Sequence, residues 1–146
     1  MTNVGKLLEE KGSAVWHVTP DDTVFDAIKL MDEKGIGALA VLVDGTLAGI
    51  ISERDYARKV ILKGRSSKKT RVKDIMTRHI FYTFPEQDVE ECLVVMSEHH
   101  IRHLPVMQND KIIGMISLGD VVKDIIKEQK DKIAHLEHYI TWEESY

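Results

Sequence analysis

The same residue pattern occurs twice along this chain of 146 residues, and the repeat limits the fold more than any other feature. A shift of 65 positions places Pro20–Asp55 on Pro85–Asp120 without a gap, and 11 of the 36 residue pairs are identical. One repeat of this length is a supersecondary unit that cannot bury its apolar face alone. We therefore expect the two copies to cover each other in one domain with approximate two-fold symmetry, so that any site built by one copy has a twin.

Each copy predicts the order strand–helix–strand–strand–helix. Apolar runs indicate strands, helical spacing of apolar residues indicates helices, and Asp44-Gly45 and Asn109-Asp110 indicate hairpin turns. The first copy has predicted strands at 15–18, 39–43 and 47–51 and helices at 24–34 and about 53–63; the second has strands at 80–83, 104–107 and 112–116 and helices at 89–96 and from 117 onward. The expected fold class is α/β, an α+β sandwich of two pseudo-symmetric βαββα repeats.

Further segments flank the repeats. Val4, Leu7 and Leu8 at helical spacing predict an N-terminal helix that Gly12 ends. The segment between the repeats is basic and contains serine, and it is either a solvated linker or a phosphate-facing surface. The predicted organisation is an N-terminal helix at 1–12, a first repeat at 13–62, a basic linker with a short helix at 63–75, a second repeat at 76–125 and a C-terminal helical extension at 126–146.

The last helix carries a heptad pattern beyond the second repeat. Its apolar positions and one glutamine alternate at spacings of four and three: Val122, Ile126, Gln129, Ile133, Leu136 and Ile140. We expect this helix to pack across a dimer interface; packing back onto its own domain is the alternative.

Composition narrows the classes of partner. A net charge of −4 argues against a dominant nucleic-acid or membrane surface, and no apolar run approaches the length of a membrane span. The N-terminus is too charged for the core of a signal peptide, and the single cysteine, Cys92, excludes an internal disulfide and is expected to be buried. No metal-ligand spacing or nucleophile–base pair is apparent. We expect a cytoplasmic protein without a metal, a nucleic-acid partner or a membrane partner.

Both copies end in one short motif, Gly49–Asp55 (GIISERD) and Gly114–Asp120 (GMISLGD). A strand delivers a serine to the start of a helix, and a carboxylate follows three residues later. Ser-x-x-Asp is typical of a capping box, in which serine and acid satisfy backbone N–H groups. A carboxylate at such a position can also accept hydrogen bonds from the two hydroxyls of a ribose, as an acid does in dinucleotide-binding folds. The two roles are compatible, because the serine can cap while the aspartate binds.

Tandem units of this order, each ending in Gly-h-h-Ser/Thr-x-x-Asp, resemble a pair of cystathionine-β-synthase (CBS) domains, also called a Bateman module. The segment Ile101–Val106 (IRHLPV) is also similar to the family's strand entry in its second repeat. The resemblance covers about residues 13–125 and is greatest to short stand-alone bacterial CBS-pair proteins, some of which end in a segment like Leu136–Ile140.

The resemblance implies a regulatory protein without catalysis, acting as an energy or redox sensor. Such proteins bind AMP, ADP, ATP, S-adenosylmethionine or NAD in clefts between paired repeats. It also implies a homodimer whose four repeats form a flat disc, and a downstream protein, unknown here, that reads the ligand state.

The same resemblance implies three groups of ligand contacts. Ribose contacts fall to Ser52, Asp55, Ser117 and Asp120. Phosphate contacts fall to Arg54, Arg58, Lys59, Arg102 and His103. Apolar contacts with adenine fall to Val18, Ile36, Ala38, Ile80 and Ile101.

The two sites are not expected to be equal. Arg102 and His103 align with Gly37 and Ala38, so the first copy lacks this basic pair. Surface ion pairing remains the alternative role for Arg58, Lys59 and Arg102, as a structural role does for His103. Two other classes of protein stay open: a scaffolding dimer with vestigial sites, and a small nucleotide hydrolase whose catalytic group the sequence does not identify.

Overall fold

The two predicted hairpins are both present and lie at the centre of the repeats. Their turn residues have positive φ, with Asp44 at 50°, Gly45 at 79°, Asn109 at 53° and Asp110 at 61°. Two consecutive positive φ angles define a type I′ turn, which suits the twist of a hairpin and favours Asn, Asp and Gly. The computed structural model describes the backbone of residues 2–144 and the side chains of residues 2–134.

The elements follow the same order in both repeats. Up to the end of the first repeat they are α1 (Val4–Lys11), β1 (His17–Val18), α2 (Val24–Lys34), β2 (Ala38–Val43), β3 (Thr46–Ser52), α3 (Glu53–Tyr56) and a π-helical turn (Ala57–Ile61). They continue with α4 (Val72–Ile75), α5 (Val89–His99), β4 (His103–Gln108), β5 (Lys111–Ser117) and α6 (Leu118–Glu144). The helix predicted at about 53–63 is therefore α3 followed by a wider π turn, and the predicted α+β class is confirmed.

Local signals explain the limits of α2. Thr23 is its cap, because the Thr23 hydroxyl accepts a hydrogen bond from the Asp26 N–H at 3.1 Å. The neighbouring Asp22 instead accepts from the Thr19 N–H at 2.7 Å. The helix ends at Gly35, whose φ of 64° is left-handed and suits glycine.

The sheets of the two repeats differ at one strand. In the first repeat β1 pairs in parallel with β2, which pairs antiparallel with β3. The strand predicted at 80–83 is wrong, because only Thr83 forms an isolated bridge to Val106 beside the β4–β5 pair. Pro105 gives the reason. The aligned Ala40 donates its N–H to the Trp16 carbonyl at 3.3 Å, and proline has no N–H to donate.

Each repeat is closed by a helix from outside the aligned segments. The buried side chains concerned are Val4, Leu7 and Leu8 of α1 in the second core, and Val72, Ile75 and Met76 of the α4 segment in the first core. Backbone bonds follow the same symmetry: the Val4 N–H donates to the Gln87 carbonyl at 2.8 Å, and the Val72 N–H donates to the Asp22 carbonyl at 2.9 Å. The N-terminal helix is thus part of the second repeat's core, which the sequence analysis did not predict.

This docking explains the glycine of the repeated motif. A Cβ added at Gly49 would lie 2.9 Å from both the Met76 sulfur and the Thr77 carbonyl oxygen. A Cβ added at Gly114 would lie 2.7 Å from a methyl carbon of Leu8. In both copies the glycine leaves room for the segment that closes the repeat.

The last helix, α6, runs without a break from the second repeat into the extension. Val122, Ile126 and Ile133 are 36%, 48% and 51% exposed, so the described part of the heptad row is open to solvent on a single chain. The side chains of Leu136 and Ile140 lie outside the described residues. Within the described residues, no helix is both long enough and apolar enough to cross a membrane.

Candidate functional site

Both Ser-x-x-Asp motifs form the predicted capping boxes. The Ser52 hydroxyl accepts from the Asp55 N–H at 3.2 Å, and Asp55 Oδ2 accepts from the Ser52 N–H at 3.0 Å. In the second repeat the same two distances are 3.1 Å and 2.8 Å, between Ser117 and Asp120. Capping occupies one oxygen of each carboxylate, so the environment of the other oxygen decides what else each aspartate can do.

The second oxygen of Asp55 is already engaged. The Thr77 hydroxyl donates to Asp55 Oδ1 at 3.1 Å, and Lys59 Nζ lies 2.9 Å from the same oxygen. Lys59 also donates to the Ile75 carbonyl at 2.8 Å, which ties the group to the α4 segment. With Asp55 only 8% exposed, this carboxylate has a structural role.

Asp120 is held differently. Lys11, the last residue of α1, places Nζ 2.5 Å from Asp120 Oδ2, the oxygen that also accepts from the Ser117 N–H. The Asp120 side chain is 26% exposed, against 11% for Asp55. Burial opposes ionisation of Asp120, but the hydrogen bonds from Lys11 and Ser117 outweigh it and lower the pKa of this carboxyl. Asp120 is therefore an ionised, accessible acceptor whose observed contacts use a single oxygen.

A cleft of about 380 Å³ lies between the repeats and contains Asp120. One wall comes from the first repeat, around the approach to β1 and the start of β2, and the other from the second repeat, around the starts of β4 and α6. The predicted residues that line it are Ile36, Ala38, His103, Ser117 and Asp120. A mostly apolar cleft of this size with a few polar groups is typical of a small-molecule site.

Lys11, Trp16 and Met115 also line this cleft and were not predicted. Trp16 aligns with Phe81 under the 65-residue shift, so a shared aromatic residue was a signal available in the sequence. The Lys34 ammonium lies 4.1 Å from the centroid of the Trp16 ring, which fixes the indole by a cation–π contact. Lys11 lies outside the aligned segments, and nothing local pointed to it.

His103 faces the opposite repeat across the cleft. A Cβ added at Gly37 would come within 3.4 Å of the His103 ring, so the histidine packs directly on the first repeat. Burial lowers the pKa of His103, and the positive charges of Lys11 and Arg102 lower it further, while Asp120 acts in the opposite sense. The ring is therefore neutral at pH 7 and serves as a hydrogen-bonding group rather than a cation.

The other predicted phosphate contacts do not line this cleft. The Arg54 guanidinium donates to the His100 carbonyl at 2.7 Å and so joins the two repeats. Arg58 and Arg102 are exposed, and the Arg102 carbonyl accepts from the Leu118 N–H at 2.7 Å.

The remaining predicted adenine contacts are also placed elsewhere. Val18 is enclosed in the first core, and Trp16, two residues earlier, lines the cleft. Ile80 is half-buried, and Ile101 packs against the second core. Ile101 aligns with Ile36, which lines the cleft at Asp120. By the approximate two-fold symmetry, Ile101 therefore corresponds to the other site, at Asp55.

A second groove of about 550 Å³ continues from Asp120 and Lys11 between α1 and α6. Its lining residues are Leu7, Glu10, Lys11, Asp120, Lys123, Asp124, Ile126, Lys127, Lys130 and Asp131. Lysines and acids are equal in number, so the groove has no net charge. The buried Oδ2 of Asp124 has no hydrogen-bond partner among the described residues.

Comparison with known proteins agrees with this architecture. The family model of the CBS domain matches residues 13–62 and 72–127. The chain is 42% identical over 149 aligned residues, covering 95% of this chain and 72% of the relative, to the mitochondrial CBS domain-containing protein CBSX3 of Arabidopsis thaliana.

Solved structures show the same arrangement. A protein with CBS domains from Burkholderia ambifaria superimposes with a TM-score of 0.84 at 52% identity, covering 88% of this chain and 96% of that one. A CBS domain pair solved with 5′-methylthioadenosine and S-adenosyl-L-methionine superimposes with a TM-score of 0.78 at 22% identity, covering 88% and 98%.

The fold and the two helix-start carboxylates thus define a tandem regulatory module of the Bateman type. The chain belongs to the CBS domain family, as a CBS pair.

Proposed function

We propose that this CBS pair is a regulatory protein, not an enzyme, that binds one adenosine nucleotide in the cleft at Asp120. AMP, ADP, ATP and NAD are the proposed ligands. The observation that carries the proposal is an ionised and accessible Asp120 between two repeats, opposite a wall that includes Trp16 and Ile36.

The chemistry of the cleft suits a nucleoside. A carboxylate can accept hydrogen bonds from two neighbouring hydroxyls, and a ribose offers its 2′- and 3′-hydroxyls as that pair. The indole of Trp16 and the side chains of Ile36, Ala38 and Met115 offer an apolar surface for a purine base. The neutral His103 ring adds one hydrogen-bonding group. The binding of adenosine compounds by a CBS pair of the same fold is consistent with this reading.

The proposal assigns the binding role to one motif and not to its twin. Asp55 meets its hydrogen-bonding needs within the protein, through Ser52, Thr77 and Lys59. The twin site is therefore vestigial in this proposal. If Asp120, like Asp55, serves only as a helix cap, the second candidate function is favoured, a scaffolding dimer that binds no ligand.

Signal output requires a second element besides the ligand. We propose a homodimer in which the exposed apolar row of α6 contributes to the interface, because Val122, Ile126 and Ile133 are open on a single chain. A ligand that contacts both repeats stabilises one relative orientation, and a cytoplasmic partner protein reads that state. Energy or redox sensing then depends on which nucleotide binds.

The test is a thermal-unfolding screen of the whole chain with AMP, ADP, ATP and NAD, and with GTP as the base control. A ligand that binds only the native state adds about 2.7 kcal/mol of stability at a hundred times its dissociation constant. We expect at least one adenosine nucleotide to raise the midpoint in wild type and not in Asp120→Ala. No shift with any of them, from a folded sample, would favour the scaffolding dimer.

A further inference from the structure

Lys11 is a cation that reaches the candidate ribose carboxylate from a separate segment, the N-terminal helix. It ends α1, whose buried Val4, Leu7 and Leu8 anchor the helix in the second core. Lys11 Nζ contacts Asp120 Oδ2 and the Met115 carbonyl, each at 2.5 Å. Its side chain is 34% exposed and lines both the cleft and the groove that continues from it. The ammonium therefore sits where the two cavities meet.

In the first repeat, the equivalent carboxylate is neutralised by a different residue. Asp55 is neutralised by Lys59, four residues later on its own helical segment, and Lys59 is tied to the Ile75 carbonyl. The residue aligned with Lys59 in the second repeat is Asp124, an acid. The second repeat thus has an acid at the position of Lys59 and carries two carboxylates, one with a buried oxygen that has no partner among the described residues. The cation for Asp120 comes instead from α1.

This contact involves the carboxylate that the ribose hydroxyls are proposed to use. Hydroxyl groups and an ammonium compete for the same carboxylate, and Lys11 and the Ser117 N–H already use one oxygen of Asp120. A diol that takes both oxygens of Asp120 leaves the Lys11 ammonium, whose side chain is 34% exposed, available for another anion. A ligand that carries both a diol and an anionic group can supply both partners at once.

We propose that Lys11 is the phosphate-binding residue of this cleft and selects adenosine 5′-phosphates over uncharged adenosine compounds. The ribose hydroxyls donate to Asp120, and the phosphate oxygens accept from the Lys11 ammonium. The inference rests on the proposed function of the cleft. It assigns to a lysine outside the repeats the phosphate contact that the family resemblance implied for Arg102, Arg54 and Arg58, which do not line the cleft.

The proposal also limits the effect of further phosphates. Beyond Lys11 the groove is lined by Lys123, Lys127 and Lys130, but also by Glu10, Asp124 and Asp131. Added phosphates meet cations and anions in equal number. The first phosphate therefore accounts for most of the selectivity, and ATP gains little over AMP.

The experiment is calorimetric titration of wild type, Lys11→Met and Lys6→Met with adenosine, AMP and ATP. Lys6 is an exposed lysine of the same helix and controls for the loss of one positive charge. A charge-assisted hydrogen bond changes affinity by about tenfold or more, so wild type and Lys6→Met should bind AMP at least about tenfold more tightly than adenosine. In Lys11→Met this preference should fall to within about threefold, with adenosine bound as well as in wild type or better.

Each other outcome identifies what has failed. If Lys11→Met keeps the wild-type ratio of AMP to adenosine affinity, the role of Lys11 is overturned while the proposed function stands. If wild type binds none of the three ligands, both are overturned. Lys11→Arg keeps the charge and should keep the preference for AMP. Equal thermal midpoints for Lys11→Met and Lys6→Met would exclude misfolding as the cause of a lost preference for AMP in Lys11→Met.

Discussion

The Thr77 hydroxyl donates a hydrogen bond to Asp55 Oδ1 at 3.1 Å, and this bond separates two sequence motifs that otherwise look alike. Thr77 follows the α4 segment, which closes the first repeat. Its backbone also pairs with Ile50, through N–H to carbonyl bonds of 2.8 Å and 3.0 Å. Asp55 is thereby enclosed, whereas Asp120 at the same motif position faces a cleft.

Alanine at the two aspartates should give opposite results. Asp55→Ala leaves the Ser52 N–H and the Thr77 hydroxyl without their acceptor, and we expect a loss of about 1–3 kcal/mol in the free energy of unfolding. The ion pair with Lys59 adds little, because Lys59 is 44% exposed. Asp120→Ala should lower the free energy of unfolding less than Asp55→Ala does, and it should lower the nucleotide affinity more. Urea unfolding and nucleotide titration measure the two effects, and nucleotide binding lost only in Asp55→Ala would reverse the assignment.

Alanine at the two motif glycines should also have unequal effects. At Gly49 the added Cβ meets the backbone carbonyl of Thr77, which cannot move without breaking the pairing with Ile50. At Gly114 the nearest atoms are those of the Leu8 side chain, which can shift more easily than backbone. Overpacking costs about 1–3 kcal/mol, so we expect Gly49→Ala near the upper end and Gly114→Ala near the lower end. Equal unfolding midpoints in urea would contradict this.

Stability should depend on the titration of His103. Burial lowers its folded-state pKa from 6.5, so between 6.5 and the lowered value the unfolded chain binds a proton that the folded chain does not. The stability that neutral His103 contributes to the folded state is fully present above pH 6.5 and is lost as the pH falls through this window. Below the window it does not change further. His103→Gln should flatten the fall in unfolding free energy between about pH 8 and about pH 5.

The exposed His17 provides a control for the loss of an imidazole. If His103→Gln and His17→Gln follow the wild-type curve alike, the histidine at the cleft does not govern the acid sensitivity.

Polar substitutions on the row of α6 should weaken self-association. Ile126→Gln with Ile133→Gln removes two exposed apolar side chains from the proposed interface, while Lys127→Gln alters the same helix outside that row. We expect sedimentation velocity to show a dimer for wild type and Lys127→Gln, and a shift toward monomer for the double variant. A dimer unaffected by the double variant would place the interface elsewhere on the molecule.

Much of the fold follows from local sequence. Asp44-Gly45 and Asn109-Asp110 specify hairpins because few residues adopt positive φ, and Thr23, Ser52 and Ser117 specify helix starts because their hydroxyls reach an N–H three residues away. These effects act within a few residues, so a pattern can reveal them. The strand predicted at 80–83 failed because Pro105, which limits its pairing, lies more than twenty residues away in the sequence.

By itself, then, the sequence determined the two repeated units with their hairpins and capping boxes, and a pair of carboxylates as candidates for a site. Only the tertiary structure decided between the two carboxylates. Asp55 is enclosed by Thr77 and Lys59, and Asp120 lies in a cleft beside Lys11. The motifs are locally alike, and what separates them is the α1 and α4 segments, which dock from outside the aligned repeats. The burial and the electrostatic environment of a carboxylate depend on residues that are close in space but distant in sequence. Two similar motifs therefore do not reveal them.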